Sequence, residues 1–329
     1  MKNKTEYIIL IFILILCNNC QDRLSTVKLT REKSIDILSD SILFNKVECL
    51  TSNSNDLFFT NTFYDQIVRL DENLSLIKIM GKRGQGPNEL LDIHQFAIKD
   101  SLVVVLNGNN RINIFNINGE LLEEHSLVDV SIRFGTGHRF YFNGKEIIGS
   151  SSLADNPLTI YNIYTREQTF FGEKYEFSTS EQTAIRNDRF ICILKNKCIA
   201  VSDNLPFIEV YDLDTKKLIE KYDYSKIKEI EKSLKAIERK ESQDSNSNSY
   251  YTLCRDICIV NDCMYLLFVN HGEEHRVDKI IKFELMPSIK PVSIIELSGK
   301  TYSSFCISDN FVYGYNSREN TIEQYTRSF

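Results

Sequence analysis

Two short stretches carry residue types that could do chemistry. "HGEEH", His271 to His275, has the His-x-x-Glu-His spacing of a zinc hydrolase, where two imidazoles hold the metal and a glutamate activates its water. "MGKRGQGPNEL", Met80 to Leu90, puts three glycines, two adjacent cations and a proline in eleven residues, as a phosphate cradle would. Each chemistry demands a scaffold. The zinc motif needs both histidines on one face of a helix; a phosphate loop needs a strand before it and a helix after it.

The flanking sequence supplies neither. "HGEEH" lies between the apolar run "MYLLFVN" and the alternating run "KIIKFEL", so it reads as a hairpin loop, and Gly272 is a poor helix former. His271 and His275 are left as candidates for opportunistic metal binding. In the glycine stretch the order is Gly81-x-x-Gly84-x-Gly86, Pro87-Asn88 stands where a Walker loop has Lys-Ser/Thr, and the strand "QFAIKD" follows. The other histidines, His94, His125 and His138, are scattered and show no triad partner.

The elements that must position these residues emerge from repetition. "ECLTSN", "ICILKN", "ICIVND" and "FCISDN" share one pattern, with Cys49, Cys192, Cys258 and Cys306 at the equivalent position; "QFAIKD" puts Ala97 there. Each is a short strand ending in a turn residue. A second apolar strand follows ("LFFTN", "LVVVLN", "CIAVSD", "MYLLFVN", "FVYGYN"), then a third with period-two alternation, then a fourth leading out. A more degenerate copy runs from "HRFYFNGKEIIGSSS" to "LTIYNIYTREQTFF". Copies starting near Glu48, Gln95, Arg139, Ile191, Ile257 and Phe305, spaced by about 45 to 65 residues, predict a six-bladed β-propeller of four-stranded antiparallel blades. The last copy stops after its third strand, while "STVKLT" at Ser25 is an orphan. Val27 to Thr30 is therefore expected to complete the last blade and close the ring. Equivalent cysteines on neighbouring blades would lie beyond disulfide reach; a small apolar thiol at a crowded inner strand explains them.

With the blades in place, the glycine stretch resembles an NHL-type repeat, and more closely the exported bacterial six-bladed propellers described as TolB-like. Their hallmark is Gly-x-x-Gly-x-Gly-Pro-Gly-Glu before an aspartate-ended strand and an Asn-x-(Arg/Lys)-Ile hairpin. Gly81, Gly84, Gly86, Pro87 and Glu89 match, and Asn88 replaces a glycine, as Asn also reaches positive φ. The resemblance implies fold and export, and no particular chemistry.

Export also follows from the first residues. Lys2 and Lys4 precede the apolar run Tyr7 to Leu16 and then "CNNC", so residues 1–19 read as a signal peptide and Cys20 as the site of lipidation, tethering the chain to a membrane of a diderm cell envelope. The propeller then occupies residues 20–329. Residues 225–249 interrupt it as an insertion: Ile227, Ile230, Leu234 and Ile237 fall at helical spacing, followed by a Ser/Asn run. A net charge of −6 gives no nucleic-acid footprint. The sequence contains no Trp, which argues against sugar-stacking platforms.

Function is then expected at the channel face, where loops between blades gather. Lys82, Arg83, Gln85, Asn88 and Glu89 are the candidate contacts for a small ligand or protein partner. Hairpin tips at Asn107 ("NGNN"), Leu153 ("LADNP") and Asp203 ("DNLPF") could instead ligate a channel cation, although turn chemistry already accounts for them. The leading reading is a non-catalytic, lipid-anchored binding propeller; the runner-up is a metal-dependent hydrolase or lyase of the propeller lactonase or amidating-lyase type, and an assembly platform is a third if the helix near Leu234 exposes its apolar stripe.

Overall fold

The second strand of each repeat explains why the sheets stack. Asp56–Asn61, Leu102–Asn107, Lys197–Ser202, Cys263–Asn270 and Phe311–Asn316 are buried along almost their whole length. Successive side chains of a strand point to opposite faces, so such a run must be covered on both sides. Outer strands such as Leu76–Met80 and Leu218–Asp223 are mostly exposed.

The computed structural model describes residues 24–39, 42–44, 46–86, 88–93, 95–108, 111–127, 139–151, 155–243, 250–272 and 275–329. It is a six-bladed propeller of mostly four-stranded antiparallel sheets. Innermost strands Val47–Asn53, Phe96–Lys99, Tyr141–Phe142, Arg189–Leu194, Cys254–Val260 and Tyr302–Ile307 open blades one to six. Apolar clusters fill the space between blades; between blades four and five, Val201, Ile208, Met264, Leu266 and Phe268 are all buried. The meander puts the outer-to-inner connections and the second-to-third hairpins on one face, here the upper, and the remaining turns on the lower. All seven cysteines of the described residues are free thiols.

Ring closure differs from the expectation by one segment. Ser25–Lys28 does not complete blade six; it adds a fifth strand, parallel, to the edge of blade five, with Val27 opposite Ile295. Leu29 then drops into the buried cluster between blades five and six, which contributes about 2 kcal/mol. Only after that turn does Arg31–Ile35 pair antiparallel with Thr321–Thr326, Lys33 facing Gln324, as the outer strand of blade six. The physical reason lies in side-chain character. "VKL" has the apolar side chains that the groove between blades needs, whereas "REKSI" is exposed and suits the polar outer edge of a sheet. Under this seam, Glu323 accepts hydrogen bonds from Tyr302 Oη and Tyr325 Oη (both 2.5 Å), Asn316 Nδ2 (3.1 Å) and Arg31 Nη1 (3.0 Å).

The insertion forms the helix Lys228–Gln243 on the upper face. Ile230 and Ile237 are buried, and Ser233 Oγ accepts from the His271 N–H at 3.1 Å, so the helix is seated on blade five by its apolar stripe. A short helix, Ser180–Ile185, precedes blade four; the Thr179 hydroxyl caps it by accepting from Gln182 N at 3.1 Å.

Candidate functional site

The anion held by the glycine loop is its own. Glu89 folds back, its Oε2 accepting from the Gly86 N–H at 2.7 Å and its Oε1 lying 2.9 Å from Lys82 Nζ. Lys82 and the Gly86 N–H hold the Glu89 carboxyl below the usual carboxylate range. Lys82–Arg83 runs parallel to Glu89–Leu90, and Gly84 N donates to Leu90 O at 2.9 Å. A Cβ at Gly84 would collide with the Glu89 carboxylate, and one at Gly81 with buried Leu90. Close approach explains the first glycine; close approach together with a φ of +75° explains the second. Asn88 takes the left-handed value expected of it, φ 61°.

Lys82, Arg83, Gln85 and Asn88 are exposed on the upper face and Glu89 is half-buried. Arg83 Nε reaches buried Asp65 Oδ2 at 3.4 Å. None of the five is among the residues lining the axial cavities described below. Pro87, His94, His138 and the lipidation candidate Cys20, with the whole segment before it, lie outside the described residues, as do parts of the "NGNN" and "LADNP" tips.

The "HGEEH" segment joins two strands, Cys263–Asn270 and Arg276–Glu284, so no helical face presents its histidines. His271 is buried, its Nε2–H donates to Thr252 O at 2.7 Å, and its ring lies 5.2 Å from that of His275. Burial lowers the His271 pKa, the Thr252 hydrogen bond opposing it and the nearby Lys240 and His275 adding to it. Glu273 and Glu274 lie outside the described residues. Among the described residues, no three His, Cys, Asp or Glu side chains converge as a metal site. His125 pairs with Glu123 at 2.9 Å on the outer strand of blade two.

The hairpin-tip residues are tied into the fold. Asn107 Nδ2 donates to Asn113 Oδ1 at 3.2 Å and to Glu89 O at 3.3 Å, and its Oδ1 accepts from Leu91 N at 3.1 Å. It therefore fastens the glycine loop to blade two. Asp203 accepts from Tyr250 Oη at 2.9 Å and Asn204 Nδ2 at 2.8 Å, while its carbonyl accepts from Leu253 N and Cys254 N. Burial pushes its pKa up to about 7 despite those donors.

The axis holds the feature that motif reading missed. Arg139, entering blade three, reaches across to Asp256 on the innermost strand of blade five. The pair is bidentate, Nε–Oδ1 2.6 Å and Nη2–Oδ2 2.8 Å. Arg139 Nη2 also donates to Leu50 O of blade one (2.6 Å) and Phe305 O of blade six (3.0 Å). Asp256 accepts in addition from Ser304 Oγ (2.6 Å), Phe305 N (3.0 Å) and Ile257 N (2.8 Å). Four blades are thereby tied at one point. On one side of the pair is about 10 Å³ of space, lined by Glu48, Gln95, Arg255 and Ser303, room for roughly one water. On the other is a cavity of about 260 Å³ lined by Ile98, Ile193, Ile259 and the thiols Cys192 and Cys258. Burial pushes Cys192 up to about 12 and Cys258 well above an ordinary thiol, so both are protonated at neutral pH and poor nucleophiles. The only sequence signal for the pair was a charge, Asp256, just ahead of the repeated "ICI".

No protein-family model matches the chain, and no curated protein matches its sequence. Solved structures do match in three dimensions. A protein of Bacteroides fragilis described as exported superposes with a TM-score of 0.59 at 12% identity, covering 92% of this chain and 99% of that one. A member of the DUF4221 family from Bacteroides vulgatus gives 0.60 at 13%, covering 91% and 97%. The β-propeller domain of Cps50 (Swd1) from Myceliophteria thermophila gives 0.53 at 8%, covering 91% and 100%. At these identities the likeness is one of fold, and the fold is the propeller.

Proposed function

We propose that this chain is an exported, lipid-anchored, non-catalytic propeller that binds a protein or small ligand on its upper face. The observation that carries this reading is the axial Arg139–Asp256 pair, which gathers Leu50, Ser304 and Phe305 into one hydrogen-bonded knot. It locks four blades into a rigid frame and closes the mouth of the channel, which leaves recognition to the loops around it. Lys82, Arg83, Gln85 and Asn88 offer exposed donors and acceptors there, and Glu89 fixes their spacing. Kinship with TolB-like or NHL-like propellers, lipidation at Cys20 and residence in the cell envelope belong to the same proposal. They are supported by the loop motif, by the signal-like first residues and by the exported description of one structural neighbour.

The metal-dependent hydrolase or lyase reading gains no support from the described residues, which bring no three ligating side chains to one point. Capture experiments with the full lipidated chain separate the two. Lys82→Glu with Arg83→Glu is expected to abolish retention of a bound partner, whereas charge reversal at Lys145 and Lys195 on the lower face leaves it intact. Stoichiometric metal by elemental analysis, or retention unaffected by the upper-face reversal, overturns the proposal.

A further inference from the structure

Eight large apolar side chains are exposed among the described residues, and all but Phe63 sit at the lower face. Leu76 and Ile77 begin the outer strand of blade one, Leu122 that of blade two, and Leu218 and Ile219 that of blade four. Tyr164 and Met286 occupy the turns before the outer strands of blades three and five. Tyr164, Leu122 and Ile219 are at least half exposed, at 56%, 51% and 50%. Five consecutive blades thus carry apolar groups at one level. The turns between them carry both signs of charge, Lys145, Lys195 and Lys217 beside Asp100, Asp214 and Asp262, all exposed.

The chain enters blade five from this same side. Ser25–Lys28 runs parallel to Lys290–Glu296, which climbs from the lower face to the upper; Ser25 lies opposite Ser293, midway up that strand, and the chain before it comes from the lower side. Cys20 precedes it by five residues, a span of at most about 17 Å. From mid-strand the lower edge of the blade is about 10 Å away; the upper edge is as far and carries the insertion helix, about 10 Å thick, above it, so an acyl group on Cys20 keeps the lower face, and not the upper, within reach of a bilayer.

We propose that the lower face of the propeller rests on the membrane, with the exposed apolar side chains of blades one to five seated among lipid headgroups and the glycine loop and insertion helix turned away. The proposal rests on the lipid-anchored reading above. Aromatic and aliphatic groups interleaved with lysines suit that interface, and the balanced charge favours a zwitterionic surface. Blade two stands opposite blade five in a six-membered ring. Contact at Leu122 therefore requires the disc to lie flat, because an edge-on tether would hold it far from lipid.

The absence of Trp makes the test free of background. Leu122→Trp, Ile219→Trp and Phe63→Trp are made singly in the full-length lipidated protein and reconstituted into phosphatidylcholine vesicles containing nitroxide-labelled lipid. Interfacial side chains sit roughly 5–10 Å into the boundary, so Trp at 122 and 219 should lose about half its emission and shift to the blue, while Trp at 63 should not. Quenching at 219 alone means an edge-on tether and overturns the proposal, as does quenching at 63 or at none of the three. Failure of labelled palmitate to enter the wild-type protein, with Cys20→Ser as control, instead sinks the anchor itself.

Discussion

Glu323 at the seam of blade six and Asp203 at a hairpin tip of blade four are both carboxylates with almost no exposure, 0% and 2%, and both accept from tyrosine hydroxyls. Their proton affinities move in opposite directions. Burial raises both. At Glu323 two tyrosines, Asn316 and Arg31 outweigh it and the pKa falls below the usual range. At Asp203 the hydrogen bonds from Tyr250 and Asn204 do not, even with Arg189 and Arg186 nearby, and the value climbs to about 7. Donor supply, more than depth, decides whether a buried carboxylate stays charged.

That contrast can be broken at several points. The largest effect is expected at Asp256→Ala, which strands Arg139 in the axis and should cost about 3–5 kcal/mol in urea unfolding; a loss below about 1 kcal/mol would show the pair is not a keystone. Glu323→Gln should cost about 2–3 kcal/mol, because two tyrosine hydroxyls lose a charged acceptor. Its pH signature is sharper. The folded pKa is depressed, so this contribution is complete above about pH 4.5 and disappears as pH falls through the folded value, and the variant should flatten that acid limb.

Asp203 should behave inversely. Its folded pKa exceeds the unfolded one, so the unfolded chain releases the proton first and stability declines as pH rises from about 4 to 7. Asp203→Asn should remove that decline and make the protein more stable than wild type at pH 8, by about 2 kcal/mol, in thermal melts; an unchanged profile would show that Asp203 is ionised throughout. Arg31→Ala is the mildest. Its side chain is 43% exposed, solvent screens the pair, and the expected loss is about 1 kcal/mol or less.

The sequence made the blades legible because four strands repeat with one grammar of burial: apolar second strands, alternating third strands and polar outer edges. It misled at the closing strand, since "STVKLT" shows the alternation that "REKSI" lacks, and the true outer edge is selected for polarity. The glycine loop was legible as a turn, although nothing in the spacing announced that Glu89 would fill it. Arg139 and Asp256 are 117 residues apart and lie in different repeats, so only the ring that brings them together makes them a pair. The short helix at Ser180 was legible in principle, through Thr179 and an acidic first turn, but six residues give too little periodicity to see.

The double use of the first strands sets an order on how the molecule is made. Arg31 meets Glu323 across 292 residues of chain, so the earliest ordered segment to be synthesised finds its neighbours last. Until the final strand is delivered, blade six presents a raw backbone edge, and contacts this distant in sequence form slowly. A nascent chain of this kind would depend on a holding factor until that strand is in place, and trimming back into Thr321–Thr326 would be far more damaging than a terminal position suggests.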